Sequence, residues 1–237
     1  MIKSLSIIYP VFNEEDRLSD CFNDIKKFEK ITKIKKIEYI FVDDGSIDES
    51  NSKIQKFIKN KKNYYLISLG KNFGKGKALK KGVQKAKFDW MLTIDTDVSV
   101  KLSQIENWIK KKYIKNHDIY FGSRNLKKSK VNYLILRKIA GLVFILICRV
   151  LFKISILDTQ CGFKLYKKNV GKKIFSKLKE NGFTHDIEIV LQAKKFDYKI
   201  MELPLTWVHK KNSKINLIRD SLSMLFALLK IRKKLIY

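Results

Sequence analysis

Short apolar runs alternate along the first half of the chain with stretches whose apolar residues recur every three or four positions. Leu5–Tyr9, Ile37–Val42, Tyr64–Ser68, Trp90–Ile94 and Ile119–Gly122 have the length and make-up of buried strands. Between them, Leu18/Phe22/Ile25, Ile54/Phe57/Ile58, Ala78/Val83/Ala86 and Leu102/Ile105/Trp108/Ile109 mark amphipathic helices. This alternation predicts an α/β fold with a mostly parallel, doubly wound sheet.

Polar residues collect just after the strands: Asn13 and Glu14, Asp43 and Asp44, Asp95 and Asp97, and Arg124. The carboxyl ends of parallel strands share one edge, where open α/β sheets bind ligands, so these groups should converge. The Asp95-Thr96-Asp97 pair carries the most chemistry. Burying an unpaired carboxylate costs several kcal/mol (order of magnitude), which places the pair at the strand end rather than inside it. Two hard oxygen ligands suit Mg²⁺ or Mn²⁺, shared with a substrate phosphate. The plainer alternative is that Asp97 caps the helix starting near Leu102, or that both acids only end a strand. The loop Asn72-Phe-Gly74-Lys-Gly76-Lys77 lacks the third glycine of a dinucleotide fingerprint and the Gly-Lys-Ser/Thr of a P-loop. Gly74, Lys75 and Lys77 remain candidates to hold a diphosphate, or the glycines simply allow a tight turn.

The second half changes character. Leu134–Lys153 is apolar almost all round except for Arg137, Lys138, Arg149 and Lys153, and Asn216–Lys234 places Ile218, Leu222, Leu225 and Leu229 on one face. Apolar helices rimmed with Lys and Arg fit the interface plane of a membrane with anionic lipids; the alternative is that both are core or dimer helices. Between them lie Asp158–Tyr166, Phe183–Glu188 and a strand at Lys199–Leu203 that stops at Pro204.

Composition narrows the class. With 237 residues, 45% of them hydrophobic, 15 Phe and 10 Tyr, the chain can bury a proper core and is not disordered. Only 2 Pro and 10 Gly argue against linkers and a loop-rich all-β fold. A net charge of +28 implies an anionic partner, although its spread over many lysine clusters also fits solvated helix faces. Cys21, Cys148 and Cys161 have no metal-type spacing, and no signal-peptide pattern is seen at Met1–Ser4, so a reducing setting is expected. No apolar run reaches the roughly 20 residues that span a bilayer.

Taken in order, Tyr9-Pro10-Val11-Phe12-Asn13-Glu14, Val42-Asp43-Asp44-Gly45-Ser46-x-Asp48, Asp95-Thr96-Asp97, Gly122-Ser123-Arg124, Asp158-Thr-Gln-Cys161-Gly162-Phe-Lys164 and Ser213-Lys214 resemble the family 2 glycosyltransferases, in particular the polyprenyl-phosphate sugar synthases. The segment from Asp158 to Lys164 is most similar to the dolichyl-phosphate β-glucosyltransferase branch. The resemblance implies a GT-A fold in one domain over 1–237. Residues 1–125 would bind the nucleotide sugar, and 126–237 the acceptor, with interface helices near 134–153 and 216–234. It implies inverting transfer of a hexose, glucose from UDP-glucose or else mannose from GDP-mannose, onto a polyprenyl phosphate on the cytoplasmic side of a membrane. Pro10, Phe12 and Glu14 would line the nucleotide pocket, with Val42 and Asp44 at the base and Thr96 beside the donor. Asp95 and Asp97 would hold the metal, Arg124 and Lys214 would contact phosphates at the reacting centre, and Arg137 the lipid phosphate. Ser99 stands where the mannose branch commonly offers a further metal ligand.

The residue inventory agrees with that chemistry. Transfer to a sugar hydroxyl needs a general base. A lipid phosphate does not, because its second pKa is about 6 and it is largely dianionic at neutral pH. Asp186 and Glu188 are the base candidates for a hydroxyl acceptor, as in a family 2 transferase extending a glycan; both could instead cap the helix from Ile187 onward. A nucleic-acid partner is disfavoured, since converging carboxylates repel a phosphate backbone.

Overall fold

A computed structural model describes residues 2–132, 135–182, 184–209 and 226–233. Five strands of the first half fall where the alternation places them: β1 (Ser4–Val11), β2 (Lys36–Asp43), β3 (Tyr64–Ser68), β4 (Trp90–Thr93) and β5 (Ile119–Ser123). The helices between them are α1 (Leu18–Ile31), α2 (Ser50–Ile58), α3 (Lys75–Lys85) and α4 (Ser103–Lys110). The second half contributes β6 (Lys130–Asn132), α5 (Ile135–Phe152), β7 (Lys164–Lys167), α6 (Lys168–Lys177), α7 (His185–Lys195), β8 (Ile200–Pro204) and β9 (Thr206–Val208).

Seven strands form one sheet in the order β3-β2-β1-β4-β7-β5-β8, and β6 pairs with β9 in a small second sheet. Neighbouring strands are parallel except around β7, which is antiparallel to both β4 and β5. The expected architecture is therefore present; β7 in the main sheet, and β6 and β9 in the small one, are strands that the pattern does not predict. Strand β7 is short, and Lys stands at both of its ends. Helix α6 is similarly masked by lysines, although Val170 and Ile174 stand one turn apart on its buried side.

The period of two along β1 divides the core. Leu5, Ile7 and Tyr9 face α1 and α4, joining Leu18, Cys21, Ile25 and Phe28 with Leu102, Ile105 and Trp108. Ile8 faces the other way, toward Ala78, Leu79 and Val83 of α3, Ile174 and Phe175 of α6, and Ile187 of α7. Each fully buried aliphatic or aromatic side chain here stabilises the fold by about 1.5–3 kcal/mol relative to exposure. Helix α3 lies flush on the sheet because residue 82 is glycine: a Cβ there would stand 2.3 Å from Ile8 Cγ2.

Helix α5 belongs to both core and surface. Cys148 and Phe152 are buried in the second cluster, while Leu142, Val143, Leu146 and Val150 on its other side are exposed. Residues 226–233 are helical and repeat the division, with Leu228 and Ile231 buried and Phe226 and Leu229 exposed. No helix among the described residues is long and apolar enough to cross a membrane.

Candidate active site

The residues after β1, β2 and β4 gather at one edge of the sheet. Asn13 and Ser46 stitch the first two loops together: the Asn13 N–H donates to Ser46 Oγ (2.9 Å) and Ile47 N–H to Asn13 Oδ1 (2.9 Å). Glu14 N–H donates to Ser50 Oγ at 2.7 Å, and the Glu14 carboxylate pairs with Arg17 at 3.1 Å. Phe12 is exposed on this double loop and Pro10 is half-buried at its root. Val42 is fully buried beneath α3, beside Ile8 and Ala78, so its side chain serves the core and not the crevice.

Asp44 organises the glycine loop. Its Oδ1 accepts from Phe73 N–H (2.9 Å) and its Oδ2 from Gly74 N–H (2.7 Å). Burial raises its pKa despite those two donors. Gly74 has φ +102°, a conformation open to glycine, and a Cβ there would meet Asn181 O at 2.4 Å. Gly76 N–H donates to the same Asn181 carbonyl at 2.6 Å. Lys75 is thus fixed between the β2 edge and the segment entering α7.

The Lys75 ammonium lies 2.6 Å from Asp95 Oδ1. Burial pulls its pKa down, but Asp95 and Asp186 outweigh burial and leave it raised to about 12. Asp95 responds in the opposite sense. Burial would raise its pKa, while Lys75 foremost, with Lys164, holds it below the usual carboxylate value. On the far side Gly162 presses against the carboxylate, so that a Cβ at 162 would stand 2.3 Å from Asp95 Oδ2. Thr93 Oγ1 donates to Gly162 O at 3.0 Å and keeps that loop in place.

Asp97 bonds to Ser99 twice, accepting from its N–H (2.9 Å) and its hydroxyl (2.8 Å). It does not cap α4, because the N–H of Leu102 donates to Asp24 instead. Thr96 is buried between the two acids. Among the described residues no group of three or more His, Cys, Asp or Glu could hold a metal. Two carboxylates nonetheless fit a small divalent ion that completes its coordination with water and substrate phosphate.

Arg124 follows β5 and is clamped by Asp158, with Nε to Oδ2 at 2.7 Å and Nη2 to Oδ1 at 2.9 Å. Glu202 secures Asp158 in turn by accepting the N–H groups of Leu157 and Asp158. Deeper in, Lys164 and Asp186 form a buried ion pair. Neighbouring His185 uses Nδ1 on Gly182 O (2.6 Å), and burial lowers its pKa even beside Asp186. Glu188 accepts from the N–H groups of Lys179 and Glu180, capping the end of the preceding segment. The side chain of Arg137 on α5, and the whole of Lys214, lie outside the described residues.

Sequence reasoning had no means to see that Lys75, Gly162 and Lys164 all bear on Asp95. The only signals were two glycines flanking Lys75 and a glycine two residues before Lys164.

A doubly wound sheet with one antiparallel strand let into it, and acids after the parallel strands, is the GT-A fold. The same architecture occurs in glucosyl-3-phosphoglycerate synthase from Mycobacterium tuberculosis. In complex with Mn²⁺ and UDP-glucose that protein superposes with a TM-score of 0.70 at 16% identity, over 97% of this chain and 79% of its own. The sequence is more specific. The chain belongs to glycosyl transferase family 2, whose model matches residues 6–175. It is 31% identical to a dolichyl-phosphate beta-glucosyltransferase of Trichomonas vaginalis, over 96% of this chain and 72% of that protein. A dolichyl-phosphate beta-glucosyltransferase of Saccharomyces cerevisiae is also 31% identical, over 96% and 74% respectively.

Proposed function

We propose that the protein moves glucose from UDP-glucose onto a polyprenyl phosphate, with inversion, at a membrane surface. The observation that carries the acceptor class is the state of Asp186. It is buried and already paired with Lys164, so it is poorly placed to take a proton from a sugar hydroxyl. A dianionic phosphate oxygen needs no such base and attacks directly. The relatives named above support the same donor sugar and acceptor.

The chain's tasks are then positioning and charge stabilisation. Residues 1–125 bind the donor, with Phe12 and Glu14 on the double loop and Asp44 behind the glycine loop. Asp95 and Asp97 hold Mg²⁺ or Mn²⁺, which supplies Lewis-acid stabilisation of the leaving diphosphate. Arg124, held in a fixed orientation by Asp158, meets phosphate at the reacting centre together with Lys214, and Arg137 meets the lipid phosphate. Residues 126–237 receive the acceptor. The exposed apolar sides of α5 and of 226–233, beside the exposed Arg149, Lys153 and Lys230, rest on a leaflet of anionic lipid on the cytoplasmic side.

The test is transfer itself. Purified protein in detergent receives polyprenyl phosphate, Mg²⁺ or Mn²⁺, and radiolabelled UDP-glucose or GDP-mannose in parallel, with Asp97→Ala as control. Label should enter the lipid phase from UDP-glucose and disappear in the variant. Donor binding without lipid-linked product from either nucleotide would sink the reading.

A further inference from the structure

Five charged side chains meet around Asp95. Asp95, Asp97 and Asp186 act on the Lys75 ammonium, and Lys75 and Lys164 act on Asp95. His185 joins them as a neutral ring, because burial disfavours its charged form. Three carboxylates against two ammonium groups leave a single net negative charge. The Lys75–Asp95 contact at 2.6 Å already occupies one of the two Asp95 carboxylate oxygens.

We infer that Lys75 is an internal counter-ion to Asp95, and that it makes a divalent cation and a nucleoside diphosphate enter this site as a pair. The inference rests on the proposed role of Asp95 and Asp97 toward a metal. A dication arriving alone would compete with an ammonium for Asp95 and turn the cluster net positive beside Lys164. A dication arriving with the diphosphate of a sugar nucleotide, which carries two negative charges, leaves the net charge where it was, and one arriving with UDP, which carries about three at neutral pH, makes it no more positive. The displaced ammonium then has the diphosphate as its new partner.

The frame makes this exchange local. Lys75 is the first residue of α3, and its backbone is pinned by Asp44 through Phe73 and Gly74 and by Asn181 through Gly76. The side chain can swing while the backbone stays. Both partners reach solvent, the Lys75 side chain being 22% and the Asp95 side chain 39% exposed, so an incoming ion has access. Gly162 closes the other side of the carboxylate.

The experiment is Mn²⁺ binding followed by electron paramagnetic resonance, with and without UDP, on wild type, Lys75→Gln and Lys75→Arg. An opposite charge this close biases a carboxylate by about tenfold or more. Wild type should bind Mn²⁺ weakly alone, and about tenfold or more tightly with UDP. Lys75→Gln should bind Mn²⁺ alone about tenfold more tightly than wild type, and UDP should then add less. Lys75→Arg keeps a cation and should stay near wild type; it also tests the idea should the Gln variant not fold. Unchanged or weaker nucleotide-free Mn²⁺ affinity in Lys75→Gln would overturn the inference. So would an Arg variant that binds Mn²⁺ alone as tightly as the Gln variant is expected to, or a wild type that binds no Mn²⁺ even with UDP. Failure of transfer to polyprenyl phosphate with this coupling intact would count against the acceptor assignment alone.

Discussion

A methyl group at position 162 would collide with the Asp95 carboxylate, at 2.3 Å from Oδ2, 2.6 Å from Cγ and 2.8 Å from Oδ1. To regain an ordinary contact of 3.4 Å the carboxylate must withdraw by roughly 1 Å. Gly162 has no positive φ, so Gly162→Ala carries no backbone strain and acts through this one collision. Overpacking of a close-packed site costs about 1–3 kcal/mol. The lower end applies, because the Asp95 side chain is 39% exposed and can rotate toward solvent. A loss of about 1 kcal/mol lowers the melting temperature of a chain this size by about 2–4 °C. Catalysis should suffer far more, since a misplacement of about 1 Å at a reacting centre can cost about 100-fold in rate. The assay is kcat at saturating UDP-glucose and Mn²⁺, read beside a thermal melt of the same preparation. A variant that melts a few degrees lower but keeps kcat within about threefold would refute the claim that Gly162 sets the position of Asp95.

Other perturbations give separate expectations. Asp186→Ala strands the buried Lys164 ammonium and should destabilise the fold by about 3–5 kcal/mol in urea unfolding; a loss under about 1 kcal/mol would mean that the pair is not buried as described. Burial would raise the Asp158 pKa, but Arg124 outweighs it and holds the folded value below 3.8. Its stabilisation is therefore complete above that unfolded value and is lost as pH falls through the folded one, so Asp158→Asn should flatten the acid limb of a stability–pH curve. His185 contributes with the same sign, in a higher pH window. Its folded pKa lies below 6.5, so the unfolded chain binds more protons in that window, stability rises with pH through it, and His185→Gln should remove the slope. Val150→Asp, at a position 71% exposed, should change stability by no more than about 0.5 kcal/mol while reducing co-sedimentation with anionic vesicles.

The first half of the fold was legible because each element there is long enough to show its period. Strand β1 shows as the mostly apolar run Leu5–Tyr9, buried on both faces, and α1 repeats Leu18, Cys21, Ile25 and Phe28 along one face. Strand β7 hid because its burial comes from both neighbours, not from its own composition, and Lys164 looks like a surface residue until Asp186 is seen beside it. The convergence of the acids was legible from topology alone. Their partners were not: Asp44 holding residues 73 and 74, or Asp24 capping residue 102, joins positions 29 and 78 residues apart. Val42 shows the reverse failure. A motif put it at the pocket, yet it points into the hydrophobic layer under α3.

The reversed strand also governs the order in which the molecule can come together. Strands β4 and β5 are not paired with each other; β7 is the bridge between them. A nascent chain with only its first 125 residues exposed would therefore hold four paired strands ending in an open β4 edge, with β5 stranded beyond it. Closure waits for Lys164–Lys167 to emerge, and β8 then docks against β5 last. Residues 1–125 and 126–237 are thus not separable modules that evolution or a protein engineer could exchange at residue 125. A split made there should yield fragments that regain activity only when mixed, since the later piece carries the strand that completes the earlier one's sheet.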